Sequence, residues 1–99
     1  MCGATTGGLS VEGIDLTKEA VVQGVVQRDG AAVGGAYVRL LDAGGDFTAE
    51  VPTSATGHFR FFAAPGTWTL RALSRAGNGD LTVDAARGVN EVAISVAAA

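Results

Sequence analysis

The chain has 99 residues, 47% of them apolar, and a formal net charge of −3. That length suits one domain, which at this size buries about two-thirds of its unfolded surface and needs no staple. The apolar share argues against disorder. The absence of any basic run argues against a nucleic acid or an anionic membrane as partner. A single cysteine excludes an internal disulfide and sets no demand for an oxidising compartment.

Residues 1–18 form a Gly/Thr-rich tail and a weakly alternating lead-in, and residues 19–99 carry the folded domain. The start, Met1-Cys2-Gly3-Ala4-Thr5-Thr6-Gly7-Gly8, has neither the basic nor the apolar stretch of a secretory leader. No apolar run approaches the roughly 20 residues that span a bilayer. The expectation is a cytoplasmic protein that meets no membrane.

From residue 20 the pattern is period-2 alternation broken by turn residues. A strand over about 20–27 places Val22, Gly24 and Val26 on one face. Asp29-Gly30 then supplies the positive φ angles of a tight turn. A strand over 36–42 turns Ala36, Val38 and Leu40 inward, and Asp42-Ala43-Gly44-Gly45 ends it. Pro52 marks the strand over 46–52 as an edge strand. The strand over 57–63 points Phe59 and Phe61 inward, and Pro65-Gly66 suits a type II turn. The strand over 67–74 points Trp68, Leu70 and Ala72 inward. Residues 74–80 read as the longest polar loop, with Gly77-Asn78-Gly79-Asp80 as a turn. Strands over 80–84 and 89–96 complete the chain. Short alternating strands at this spacing predict an all-β, antiparallel Greek-key β-sandwich of about seven strands.

The same alternation names what points outward. Tyr37, Leu41, Phe62 and Leu73 fall opposite the core beside Arg39, Arg60 and Arg71. Apolar and aromatic residues next to arginine have the composition of an interface centre. Scattered apolar surface is the plainer reading of the same residues. Arg39 and Arg71 share a face if their strands share a sheet. They then either clamp a small oxyanion or pair with Glu50 or Asp42 across strands.

The stretches Gly34-Gly35-Ala36-Tyr37-Val38-Arg39-Leu40-Leu41-Asp42, Thr56-Gly57-His58-Phe59-Arg60-Phe61-Phe62 and Trp68-Thr69-Leu70-Arg71-Ala72-Leu73 carry a family resemblance. At the level of the strand template, the chain resembles the carboxypeptidase regulatory-like and Cna-B-like sandwiches of the prealbumin-like group. Nearly the whole chain, Met1-Cys2 included, resembles a small actinobacterial family of unassigned function. Its mycobacterial members are called SseC, sulfur-metabolism proteins by association with neighbouring thiosulfate sulfurtransferases. The first resemblance implies a module without activity. The second implies an accessory protein in sulfur metabolism that binds a thiosulfate sulfurtransferase (rhodanese).

Cys2 is the one candidate for chemistry. Removal of Met1 would set its thiol beside an α-amine, whose positive charge favours the thiolate. It is then a candidate acceptor or relay of sulfane sulfur from such an enzyme. The alternative is an adaptor module that docks or homodimerises through its outward apolar residues, with Cys2 irrelevant. His58 is the only histidine, and with one cysteine it falls short of the three or four ligands of a zinc site. Asp42 to Asp46 lacks the spacing of a calcium loop. Gly34-Gly35 and Gly44-Gly45 lack the helix that follows a phosphate loop. No cofactor, metal or catalytic set is therefore expected.

Overall fold

The computed structural model describes residues 19–97. Eight strands follow one another among these residues: β1 (Ala20–Arg28), β2 (Ala31–Ala32), β3 (Tyr37–Leu41), β4 (Phe47–Pro52), β5 (His58–Ala63), β6 (Gly66–Ser74), β7 (Gly77–Ala85) and β8 (Gly88–Ser95). They form two four-stranded sheets, and the expected β-sandwich is what the chain builds. No helix among the described residues is long and apolar enough to cross a membrane.

The second sheet has the order β4-β3-β6-β7 and is antiparallel throughout. In the first sheet, β1 is central. β5 pairs antiparallel along one edge, from Ala20↔Ala63 to Val25↔His58. The two-residue β2 continues that edge after the Asp29-Gly30 turn. Both turn residues have positive φ, 52° and 83°, as the Asp-Gly pair predicts. On the other edge β8 runs parallel to β1, from Ala20↔Gly88 to Gln27↔Ser95. The sandwich thus has one parallel pair among the described residues, which alternation within a strand does not encode.

The core lies between the sheets and follows the period-2 pattern. Val22, Val26, Val38, Leu40, Phe59, Phe61, Leu70 and Ile94 all pack into it. Trp68 sits at its margin, half-buried, with its indole N–H donating to the Ala64 carbonyl at 2.8 Å. Each large aliphatic side chain here contributes about 1.5–3 kcal/mol by leaving water.

Two departures from the expected strands have physical causes. The region 74–80 is not a loop: β6 and β7 meet in a tight hairpin with Ser74 opposite Gly77, so Gly77-Asn78-Gly79-Asp80 is strand. Gly79 is there for space, since a Cβ would lie 2.1 Å from the Ser95 carbonyl oxygen. At that approach Asn78 and Ala97 exchange both backbone hydrogen bonds at 3.1 Å, tying the second sheet to the end of β8. Leu41 faces away from the core as expected yet is only 8% exposed. The β3–β4 register shifts between Leu40 and Leu41, which breaks strict alternation there.

Two polar side chains hold the loops. Thr53 is buried; its hydroxyl accepts from the Ala36 amide at 3.0 Å while its own amide donates to the Ala36 carbonyl at 2.8 Å. Asn90 serves the parallel pair. Its Oδ1 accepts from the Ala86 amide at 3.0 Å, and its Nδ2 donates to the carbonyls of Ala86 at 2.8 Å and Val21 at 3.1 Å. The turn before β8 is thereby pinned to β1. Asn90→Ala should lower the unfolding free energy by about 2 kcal/mol, because several backbone groups lose a partner together. Urea denaturation checks this; a midpoint equal to that of the parent chain would contradict it.

Candidate functional site

Outside the core, the second sheet presents an ordered charged row. Glu50, Arg39, Arg71 and Asp80 are successive register partners across β4, β3, β6 and β7. Arg39 Nε donates to Glu50 at 2.8 Å. Arg71 Nε and Nη2 donate to the two Asp80 carboxylate oxygens at 3.0 and 3.5 Å. Opposite charges thus occupy the outer strands and two like charges the middle ones. Arg39 leans towards one edge of the sheet and Arg71 towards the other. The expected pairing of an arginine with Glu50 forms, and Asp80 rather than Asp42 serves Arg71. Asp42 instead closes its own turn, its Oδ1 accepting from the amides of Gly44 at 2.9 Å and Asp46 at 3.0 Å.

Apolar residues flank this row on both sides. Tyr37, 52% exposed, lies between Pro52 and the half-buried Leu73. On the other side Phe47, 61% exposed, pairs with Leu41. Five of the residues expected at an interface, Tyr37, Arg39, Leu41, Arg71 and Leu73, therefore share one face. Phe62 does not, which corrects the expectation of one continuous face. It lies on β5 in the other sheet, paired with Val21. Alternation distinguishes inward from outward but does not say to which sheet a strand belongs. Phe47 is the residue that sequence reasoning misses: it is in phase with the inward Ala49 and Val51, and the register shift that makes Thr48 an extra residue on β4 sets it instead opposite the outward Leu41.

The outer face of the first sheet differs in character. Val21 there is fully buried and Arg60 is 5% exposed. Arg60 Nε donates to Gln23 Oε1 at 2.8 Å, and Gln23 Nε2 donates to Glu91. A hollow of about 210 Å³ lies beside them, lined by Gln23, Gly24, His58, Phe59 and Glu91. This is below the roughly 300–1,000 Å³ of small-molecule sites. His58 is exposed on its strand, with Nδ1 2.9 Å from the Thr56 hydroxyl oxygen. No cluster of three or more His, Cys, Asp or Glu that could hold a metal occurs among the described residues. Cys2 lies outside the described residues.

A profile for a family described as "Protein of unknown function (DUF1416)" matches residues 2–96. The chain belongs to the DUF1416 family. It is similar to "Uncharacterized protein Rv0814c" of Mycobacterium tuberculosis, 58% identical over 99 residues, with 97% of this chain and 99% of the relative covered. It is also similar to an uncharacterized protein of Mycolicibacterium smegmatis, 63% identical over 87 residues, covering 86% and 97%. Among solved structures it is similar to a DUF3823 family protein from Parabacteroides merdae, with TM-score 0.64 and 21% identity. That match covers 82% of this chain and 47% of the other, so the chain spans about half its length. At that identity the likeness concerns the fold alone.

The charged row in this DUF1416 protein is solvent-facing, and exposed ion pairs contribute about 0.2–1 kcal/mol each. Arg39→Gln and Arg71→Gln should each lower the unfolding free energy by less than about 1 kcal/mol. Thermal or urea unfolding decides; a loss several times larger would make the row a structural element and not a surface available for contact.

Proposed function

We propose that this DUF1416 protein is a non-enzymatic docking module whose working surface is the outer face of β4-β3-β6-β7. The observation that carries this is the placement of exposed Tyr37 and Phe47 on either side of the Arg39–Glu50 ion pair. Aromatic and arginine side chains are the residues that dominate binding energy at interfaces. A rigid antiparallel sheet holds them at fixed spacing, so little ordering entropy is lost on contact. The other outer face has its central residues already enclosed, and its hollow is small and internally hydrogen-bonded. Of the three large apolar residues exposed among the described residues, the second sheet carries Tyr37 and Phe47 and the first only Val89.

In its finer form, the proposal makes the module an accessory protein of sulfur metabolism that docks on a thiosulfate sulfurtransferase. Cys2, the only thiol of the chain, supports this form. Its thiolate would attack the sulfane sulfur of the enzyme persulfide. That S–S bond breaks, the enzyme cysteine leaves as thiolate, and Cys2 becomes the persulfide.

Affinity purification from the native cell, read by quantitative mass spectrometry, tests the docking. Tyr37→Glu should strip the co-purifying protein, while Val89→Glu on the other sheet leaves it in place. Equal recovery with both variants would refute the docking face. Incubation with thiosulfate and a sulfurtransferase tests the finer form. A mass gain of one sulfur atom on Cys2, absent from Cys2→Ser, is expected, and an unmodified Cys2 with a competent donor enzyme rules it out.

A further inference from the structure

Resting on that docking reading, we infer that the partner is a protein segment with a carboxylate flanked by apolar side chains, and not a second copy of this chain. The order of charges in the row carries the argument. Across the sheet it reads acid, base, base, acid, from Glu50 through Arg39 and Arg71 to Asp80. The two cations are direct cross-strand partners, an arrangement that is unfavourable without anions nearby. Each is countered only from its outer side. Arg39 donates to Glu50 through Nε alone, which leaves the donors of both its Nη groups for another acceptor. The centre of the face is therefore cationic and short of acceptors, although the chain as a whole is acidic.

A second copy meets this face poorly. In a face-to-face dimer the twofold axis lies in the interface, and each patch contacts its own equivalent. An axis along the strands, centred on the row, sets Arg39 against the Arg71 of the copy and Glu50 against its Asp80. An axis along the row sets every charge against itself. Either way a contact centred on the row brings like charges together over its middle, which specificity across interfaces avoids. An axis shifted to lie between β3 and β4 sets Arg39 against Glu50 only by leaving Arg71 and Asp80 with no partner in the copy's row. A small anion is also a poor occupant. Glu50 and Asp80 draw the two guanidinium groups towards opposite edges of the sheet, away from a common chelation point.

An extended partner satisfies what both leave unmet. Its carboxylate accepts charge-assisted hydrogen bonds from the Nη groups that Arg39 leaves unused and needs no common chelation point with Arg71. Apolar side chains on either side cover Tyr37 with Leu73, and Phe47, which stands beside the already buried Leu41. These groups recur at every second residue of β3, so apolar, acidic and apolar groups on one side of the partner segment match them.

Selection of a random short-peptide library on the purified full chain tests this, followed by anisotropy titrations with a synthetic peptide of the selected sequence. The expected consensus holds Asp or Glu with apolar neighbours. Affinity for that peptide should fall about tenfold or more in the Arg39→Gln/Arg71→Gln chain, as loss of charge-assisted bonds predicts. It should also fall when Lys replaces the peptide carboxylate. A consensus without a carboxylate, bound equally by the double variant but lost with Tyr37→Glu, overturns the carboxylate inference and leaves the docking face standing. Binding indifferent to Tyr37→Glu and to the arginine changes overturns both. A dimer in sedimentation that Tyr37→Glu dissociates overturns the inference in favour of a second copy.

Discussion

The register of β3 against β6 is the constraint on which both fold and surface depend. Val38 opposite Ala72 and Leu40 opposite Leu70 fill the centre of the core. The same register sets Arg39 opposite Arg71 on the other side of the sheet. A slip of β3 by one residue would turn Arg39 into the core and Val38 and Leu40 out. The cost of burying an unpaired guanidinium group is large enough to forbid that alternative. Apolar burial therefore fixes the pairing, and the pairing creates the cationic centre without any separate design for it. Glu50 and Asp80, one strand further out on each side, make the unfavourable Arg–Arg contact tolerable.

The remainder of the fold closes the sandwich around that sheet. β8 lies parallel to β1, and Asn90 secures the turn that brings it there. The backbone of β8 approaches β1 so closely at Gly24 that a Cβ would lie 1.8 Å from the Val92 carbonyl oxygen. Gly79 permits the matching approach of β7 to the end of β8. These contacts join the two sheets closely, and a surface ordered before contact loses less conformational freedom on binding.

Much of this is legible in the sequence, for a definite reason. Alternation reports which side of a strand meets the core, so Val38, Leu40, Phe59, Phe61 and Leu70 read as interior and Tyr37, Arg39 and Arg71 as exterior. Alternation does not report which strands pair. It therefore groups Phe62 with Tyr37, although Phe62 belongs to the other sheet, and the parallel β1–β8 pair leaves no local trace. Gly77-Asn78-Gly79-Asp80 reads as a turn by composition, yet its second glycine serves a close strand contact. The partnership of Arg71 with Asp80 is hidden for the same reason, because composition places Asp80 in a loop. The ion pair of Arg39 with Glu50 is visible, since two strands joined by the Asp42–Asp46 turn must pair.

The central claim is that the outer face of β4-β3-β6-β7, and not that of the first sheet, meets a partner in the cell. Site-specific photo-cross-linking tests it most directly. A benzophenone amino acid is placed at Phe47 on one face or at Val89 on the other, both exposed in the isolated chain. A discrete cross-linked species is expected from position 47 and none from position 89. A discrete species from position 89, with position 47 silent, would contradict it.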